Sequence, residues 1–320
     1  MNFEHVRSLV YDQPWAILPE KLQAIQGLLS LRLSGAKLTP EAIAEQIGAA
    51  DARRNSVRNG AIAVLPVYGV LMQRVDMLSE MSGGTSTERI AKDFRQLMAD
   101  PNIGTIVLDI DSPGGGVYGI FELAAEIHAA NAEKRIIAHA NSMAGSAAYA
   151  LFCAAGEGVV TPGGEVGSIG VYMIHEDWTG AYEQMGVKPT LIKYGDHKAE
   201  GIDIMPLDAA AKDSYQKRVD EYGEMFVHSV ASHRGTTVAN VKATFGQGRM
   251  FGAKEAVKLG MADRVEPLRE TLARLSGSAP RKGARAEDEA PEIASDVAAQ
   301  RAALGRDLAW ARYTEVVDNR

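Results

Sequence analysis

Residues 103–111 read IGTIVLDID, an almost unbroken apolar run of strand length. They are followed by SPGGG and then by VYGIFELAAEIHAAN, which has helical periodicity. A buried strand that stops at a glycine turn and runs into a helix leaves few choices of fold, and the pattern recurs along the chain. AIAVLPVYGVL (61–71) is β-branched and apolar and reads as a strand with a turn near its end. TSTERIAKDFRQLMAD (85–100) is an amphipathic helix with Ile90, Phe94 and Leu97 on one face. RIIAHA (135–140) reads as a strand and AGSAAYALFCAA (144–155) as a helix. GVVTP, IGVYMIH and PTLIKYG read as further strands with short helices between them. Residues 207–234 read as a long helix, and GAKEAVKLG as a short one ended by Gly260. This alternation predicts a largely parallel α/β core.

The flanks differ. Residues 1–58 read as a helical N-terminal segment: Leu22, Ile25, Leu29 and Leu33 recur at helical spacing, and LTPEAIAEQIG places Thr39 as N-cap, Pro40 at the first helical position and Gly48 as the stop. The main domain is expected over 59–267. From 268 to 294 the chain is small, charged and Pro-containing, as in SGSAPRKGARAEDEAPE, and reads as a flexible linker. Residues 295–320 read as a helical tail with Val297, Leu304, Leu308 and Ala311 near heptad spacing. The start, MNFEHVRSLVYDQPWAILPEKL, lacks the pattern of a signal peptide, and no window is apolar enough to span a bilayer. A formal net charge of −7 without a basic patch argues against nucleic acid as a partner. The single cysteine, Cys153, excludes an intrachain disulfide and a multi-cysteine zinc site, and no H-E-x-x-H cluster is present.

The glycines of DSPGGG leave backbone N–H groups uncovered at a helix start, which suits an oxyanion hole and equally suits a plain tight turn. A phosphate loop is disfavoured, because no Lys-Ser/Thr follows at the required spacing. Ser146 lies among small residues in AGSAAYA. With a helix starting near Ala144, its hydroxyl falls in the first turn and its N–H is free. It is then either a reactive group or a capping or core serine. A reactive serine needs a base. His175 follows it at the end of an expected strand, and His197 and Lys198 share the loop KYGDHKAEG. A lysine acts as a base near neutral pH only when its pKa is brought down from about 10.4, which burial achieves. Ser168 sits in a second glycine turn, GGEVGSIG.

Taken in order, DSPGGGVYG, NSMAGSAAYALFCAA, GEVGSIGVYM, YGDHKAEG and GRMFGAKEAVKLGMADRVE resemble the signal peptide peptidase (protease IV) family of serine peptidases over about residues 60–267. NGAIAVLPVYGVLMQR and the N-terminal segment look more particularly like the phage capsid assembly proteases of that family. The resemblance implies an α/β fold of the Clp-protease/crotonase type, built from repeated β-β-α units, and a Ser/Lys dyad. It makes Ser146 the nucleophile and Lys198 the general base. It places Gly115 or Gly114 with the Ser146 N–H in the oxyanion hole, has Ser168 position the lysine, and calls for no metal or cofactor. The expected activity is endopeptidase processing of phage head proteins, with protein or peptide substrates, no membrane anchor, and location in the host cytoplasm or the procapsid. Relatives of this fold pack side by side, so a homo-oligomer is expected. The competing readings are a cytosolic peptide-degrading peptidase, a catalytically silent assembly or scaffold factor, and a crotonase-like acyl-CoA enzyme.

Overall fold

The computed structural model describes residues 10–11, 13–33, 57–74 and 85–277. The helix expected around Thr39–Gly48, the tail helix and all but the first ten linker residues lie outside the described residues. The strands are β1 (Trp15–Ile17), β2 (Val57–Asn59), β3 (Ile62–Tyr68), β4 (Leu71–Met72), β5 (Thr85–Ser86), β6 (Thr105–Ser112), β7 (Gly114–Gly116), β8 (Arg135–Gly145), β9 (Glu157–Val160), β10 (Glu165–Gly167), β11 (Met250–Gly252) and β12 (Arg264–Val265). The helices are α1 (Pro19–Leu33), α2 (Thr87–Ala99), α3 (Ile120–Ala130), α4 (Ala147–Ala154), α5 (Thr179–Gln184), α6 (Ala209–His233), α7 (Val238–Thr244), α8 (Ala253–Leu259) and α9 (Leu268–Leu275).

The main sheet runs β11-β10-β8-β6-β3-β2. Its centre is parallel: β3 pairs β6, β6 pairs β8, and β8 pairs both β9 and β10 along one edge. The second sheet is β1-β7-β4-β5. The two sheets meet at Pro113, where the apolar strand β6 passes into the glycine strand β7.

Side-chain alternation along β6 sorts the core. Ile106, Leu108 and Ile110 join the large cluster under the helices, and Val107 joins Ile62, Ile137 and Val159 on the other face. The cap of α2 is the Ser86 hydroxyl, which accepts from the Arg89 N–H at 3.2 Å, and Ile90, Phe94 and Leu97 bury the expected face. Helix α4 is buried along its whole length, which accounts for its lack of any charged residue. Gly260 stops α8 in the left-handed conformation, at φ 80°.

Three expectations are corrected. The N-terminal segment is not purely helical, because β1 lies within it and β2 straddles its end. IGVYMIH and PTLIKYG are not strands: Tyr172 makes one isolated bridge to Trp15, and residues 189–195 have no strand partner. The first eight linker residues form α9, since Leu268, Leu272 and Leu275 recur at helical spacing and pack against the Ile62–Val107 face of the sheet. The architecture is mixed α/β around parallel strands, and regular β-β-α repetition is not evident in the element order.

Candidate active site

Strand β8 continues through Gly145 because Met143, Ala144 and Gly145 pair with Glu165, Val166 and Gly167 of β10. Helix α4 begins at Ala147, three residues later than the sequence suggests. Ser146 makes the turn between them alone, at φ 52° and ψ −117°. Left-handed backbone at a non-glycine residue costs about 1–3 kcal/mol and persists only where its surroundings enforce it. Here the Ser146 N–H donates to the Gly167 carbonyl at 2.7 Å, and the Ser146 carbonyl accepts from Tyr149 and Ala150 of the buried helix. The expectation of a free Ser146 N–H is therefore corrected: extension of β8 along β10 gives that N–H an acceptor. The side chain is buried, and its Oγ has no hydrogen-bond partner.

The glycine strand lies against this turn. Ser112 Oγ donates to the Gly69 carbonyl at 2.7 Å and accepts from the Gly114 N–H at 3.2 Å. A Cβ on Gly114, whose φ is 101°, would overlap the Ala16 carbonyl oxygen and lie 2.9 Å from Gly145 O and 3.0 Å from Ala147 N. A Cβ on Gly115 would overlap the Leu71 backbone. Close approach of neighbouring main chain thus requires glycine at both positions. β7 is flanked on one edge by β1 and on the other by β4.

Ser168 follows Gly167 just as Ser146 follows Gly145, and those two glycines are register partners, so the two serines sit at adjacent strand ends. Ser168 is also left-handed, at φ 56°, and donates its N–H to Arg249 O at 2.7 Å. The structure therefore brings Ser146, Ser168, Gly114 and Gly115 to one place. Lys198 is not joined to them: it lies on an exposed loop, and the Ser146 hydroxyl is unpartnered. No histidine bonds Ser146 either. His175 is half-buried with an unpartnered Nε2, and His197 pairs with Glu200 in the exposed loop. His139 is buried, with Nε2 2.9 Å from the Glu266 carbonyl. Burial pushes the Cys153 thiol up to about 12, so α4 offers no thiolate nucleophile near neutral pH. Among the described residues no group of three or more His, Cys, Asp and Glu side chains could hold a metal ion, and no helix is long and apolar enough to cross a membrane.

One component of the site escaped the sequence reading. Strand β1 lines β7 and meets Tyr172 on its far edge. The signal was present as an apolar WAIL flanked by Pro14 and Pro19, since prolines bound short strands.

Residues 128–280 match peptidase family S49. The chain is 34% identical over 280 residues to capsid assembly protease C of Escherichia phage lambda, covering 82% of this chain and 63% of that protein. It is 33% identical over 279 residues to head-tail preconnector protein GP5 of Enterobacteria phage P21, covering 82% and 55%. A putative signal peptide peptidase SppA of Enterococcus faecium is 25% identical over 214 residues, covering 65% and 60%. The chain thus spans roughly three fifths of the length of these relatives.

Proposed function

The chain belongs to peptidase family S49, and from that premise we propose that it is a serine endopeptidase with Ser146 as nucleophile and Lys198 as general base. The observation that carries this reading is the lone serine held in a strained strand-to-helix turn against a strand of obligatory glycines. A reactive hydroxyl on such a turn stands clear of its own backbone, and glycine main chain can approach an oxyanion closely. The parallel central strands with helices packed against them are compatible with a Clp-protease/crotonase type of fold.

In this mechanism neutral Lys198 takes the Ser146 proton as Oγ attacks the scissile carbonyl. The tetrahedral oxyanion is stabilised by main-chain N–H groups of Gly115 or Gly114 and of Ser146, whose present acceptors must be exchanged for substrate. Lysine then protonates the leaving amine. It next deprotonates the water that hydrolyses the acyl-enzyme ester. Ser168 positions the lysine. The names of the phage relatives support head proteins as substrates, processed during capsid maturation in the host cytoplasm or procapsid.

The test is a panel of four variants. Ser146→Ala and Lys198→Ala should each lower cleavage by at least ~10³-fold with unchanged circular dichroism, whereas His175→Ala and His197→Ala should stay within about threefold of the parent. A His175→Ala loss equal to that of Ser146→Ala, in a folded protein, would replace the dyad by a Ser/His mechanism. Scaffold, portal and capsid proteins of the same phage should be cut at discrete sites. Equal, unselective digestion of casein would favour a degradative peptidase, and no cleavage by a folded parent would favour an assembly factor.

A further inference from the structure

We infer that Trp15–Leu18 fills the peptide-binding slot of this peptidase as an internal inhibitor, and that the slot accepts an extended segment with large apolar side chains on either side of a small one. The inference rests on the peptidase reading above.

The backbone geometry comes first. β1 runs antiparallel to β7, with Trp15, Ala16 and Ile17 opposite Gly116, Gly115 and Gly114. The Leu18 N–H continues the ladder to Pro113 O at 3.0 Å. On the opposite edge, Trp15 and Tyr172 exchange two hydrogen bonds, at 2.9 Å and 3.0 Å. One wall of the slot is thus the glycine strand, and the other is the segment that follows Ser168. These contacts use main chain alone, so any extended peptide could make them, and side-chain pockets would supply the selectivity.

The pockets alternate. Trp15 and Ile17 enter a small apolar cluster with Val70 and Met72 and with Val10, Leu22 and Ile25 of the flanking N-terminal residues, against which Tyr172 and Ile174 pack. Ala16 points the other way into the main core, where it is fully buried. A substrate replacing β1 would therefore need a small residue between two large apolar ones.

Occupation by β1 also explains why the site is closed. Ser146 is only 1% exposed. Ala16 O, together with Gly145 O and Ala147 N, occupies the space that a side chain at Gly114 would take, next to Ser146. Among the described residues six buried side-chain polar atoms lack a partner, and three of them, Ser146 Oγ, Tyr172 Oη and His175 Nε2, belong to Ser146 and the wall beyond β1. Unpaired buried polar groups are costly, so their concentration here marks a site awaiting another occupant.

The test uses the full chain, an unfolded casein substrate and a synthetic peptide of residues 13–20, QPWAILPE. Trp15→Ala should raise the cleavage rate at least tenfold. The milder Ile17→Val, which keeps the fold if Trp15→Ala does not, should raise it about two- to tenfold. Added peptide should inhibit the variants competitively, raising KM with kcat unchanged. Fluorescein-labelled peptide should bind Ile17→Val combined with Ser146→Ala more tightly than it binds the Ser146→Ala chain alone. Folded variants that cleave no faster than the parent, with a peptide that neither competes nor binds, would overturn the proposal and make β1 a fixed part of the fold. Peptide binding without cleavage by any variant would remove the peptidase reading and leave the slot standing. Cleavage without peptide binding would do the reverse.

Discussion

At Ser146 and Cys153 one short helix gives a hydroxyl and a thiol opposite settings. Ser146 stands before the first turn of α4, on strained backbone, whereas Cys153 lies inside the helix, fully buried. The Cys153 sulfur donates to the Ala150 carbonyl at 3.3 Å and lies 4.0 Å from His233 Nδ1, and burial pushes the thiol up to about 12. Cys153 should therefore stay unmodified by a maleimide in the folded protein at pH 8 and label fully in denaturant. Native labelling within minutes would mean that α4 opens locally. That the serine and the glycines lie together was anticipated from the sequence, because the proposed chemistry calls for particular residue types in a particular order. The strain at Ser146 was not legible: it arises from pairing β8 with β10, whose residues lie about twenty positions further on.

The elements divide by how local their cause is. Helices α2, α6 and α8, strands β3 and β6 and the first half of β8 follow from periodicity and caps within their own residues, whereas the second half of β8 is set by β10. β1 carries only the short proline-flanked WAIL as a local signal, since it is three residues long and its partner β7 lies about a hundred positions away. α9 was hidden by the charged stretch after it. Its role is visible in the packing of Leu268, Leu272 and Leu275, and in a clamp on Glu157, whose carboxylate takes Arg274 at 2.7 Å, Arg135 at 2.9 Å and Arg264 at 3.2 Å. A chain ended at Pro267 should be less stable than one ended at Gly277 by about 3–5 kcal/mol, from leucine burial and charged hydrogen bonds. That corresponds to a Tm lower by about 10 °C for a domain of this size. The clamp also gives the difference a pH dependence. Burial alone would raise the Glu157 pKa, but hydrogen bonds from Arg135 and Arg274 outweigh it and hold the carboxyl below its ordinary 4.5. A depressed folded-state pKa stabilises fully above the unfolded value and progressively less as pH falls through the folded one. The gap between the two chains should thus be widest near neutral pH and narrow below about pH 4. A gap that stays constant with pH would assign the stabilisation to the leucines alone.

For the whole molecule, the proposed role of Lys198 requires something to complete a site around it. The loop that carries it also holds Ile192 and Tyr194, 93% and 98% exposed, with Met185, Val187 and Met205 exposed nearby. PTLIKYG looks like a strand because Leu191, Lys193, Ile192 and Tyr194 alternate in the manner of a sheet edge, yet nothing within the described residues pairs with it. Leaving such side chains in water forgoes about 25 cal/mol per Å² of apolar surface. A base lysine also needs a drier setting than an exposed loop provides. Both deficits are met if a second copy of the chain covers the loop and brings Lys198 into a closed site, so the active form is expected to be a homo-oligomer. Light scattering at micromolar concentration should give a mass several times 34.3 kDa. Ile192→Asp combined with Tyr194→Asp should lower that mass to one chain and slow cleavage at least ~10-fold, with circular dichroism unchanged, because neither side chain supports the core. A monomer with full activity would refute this and would require the loop to fold over Ser146 within its own chain.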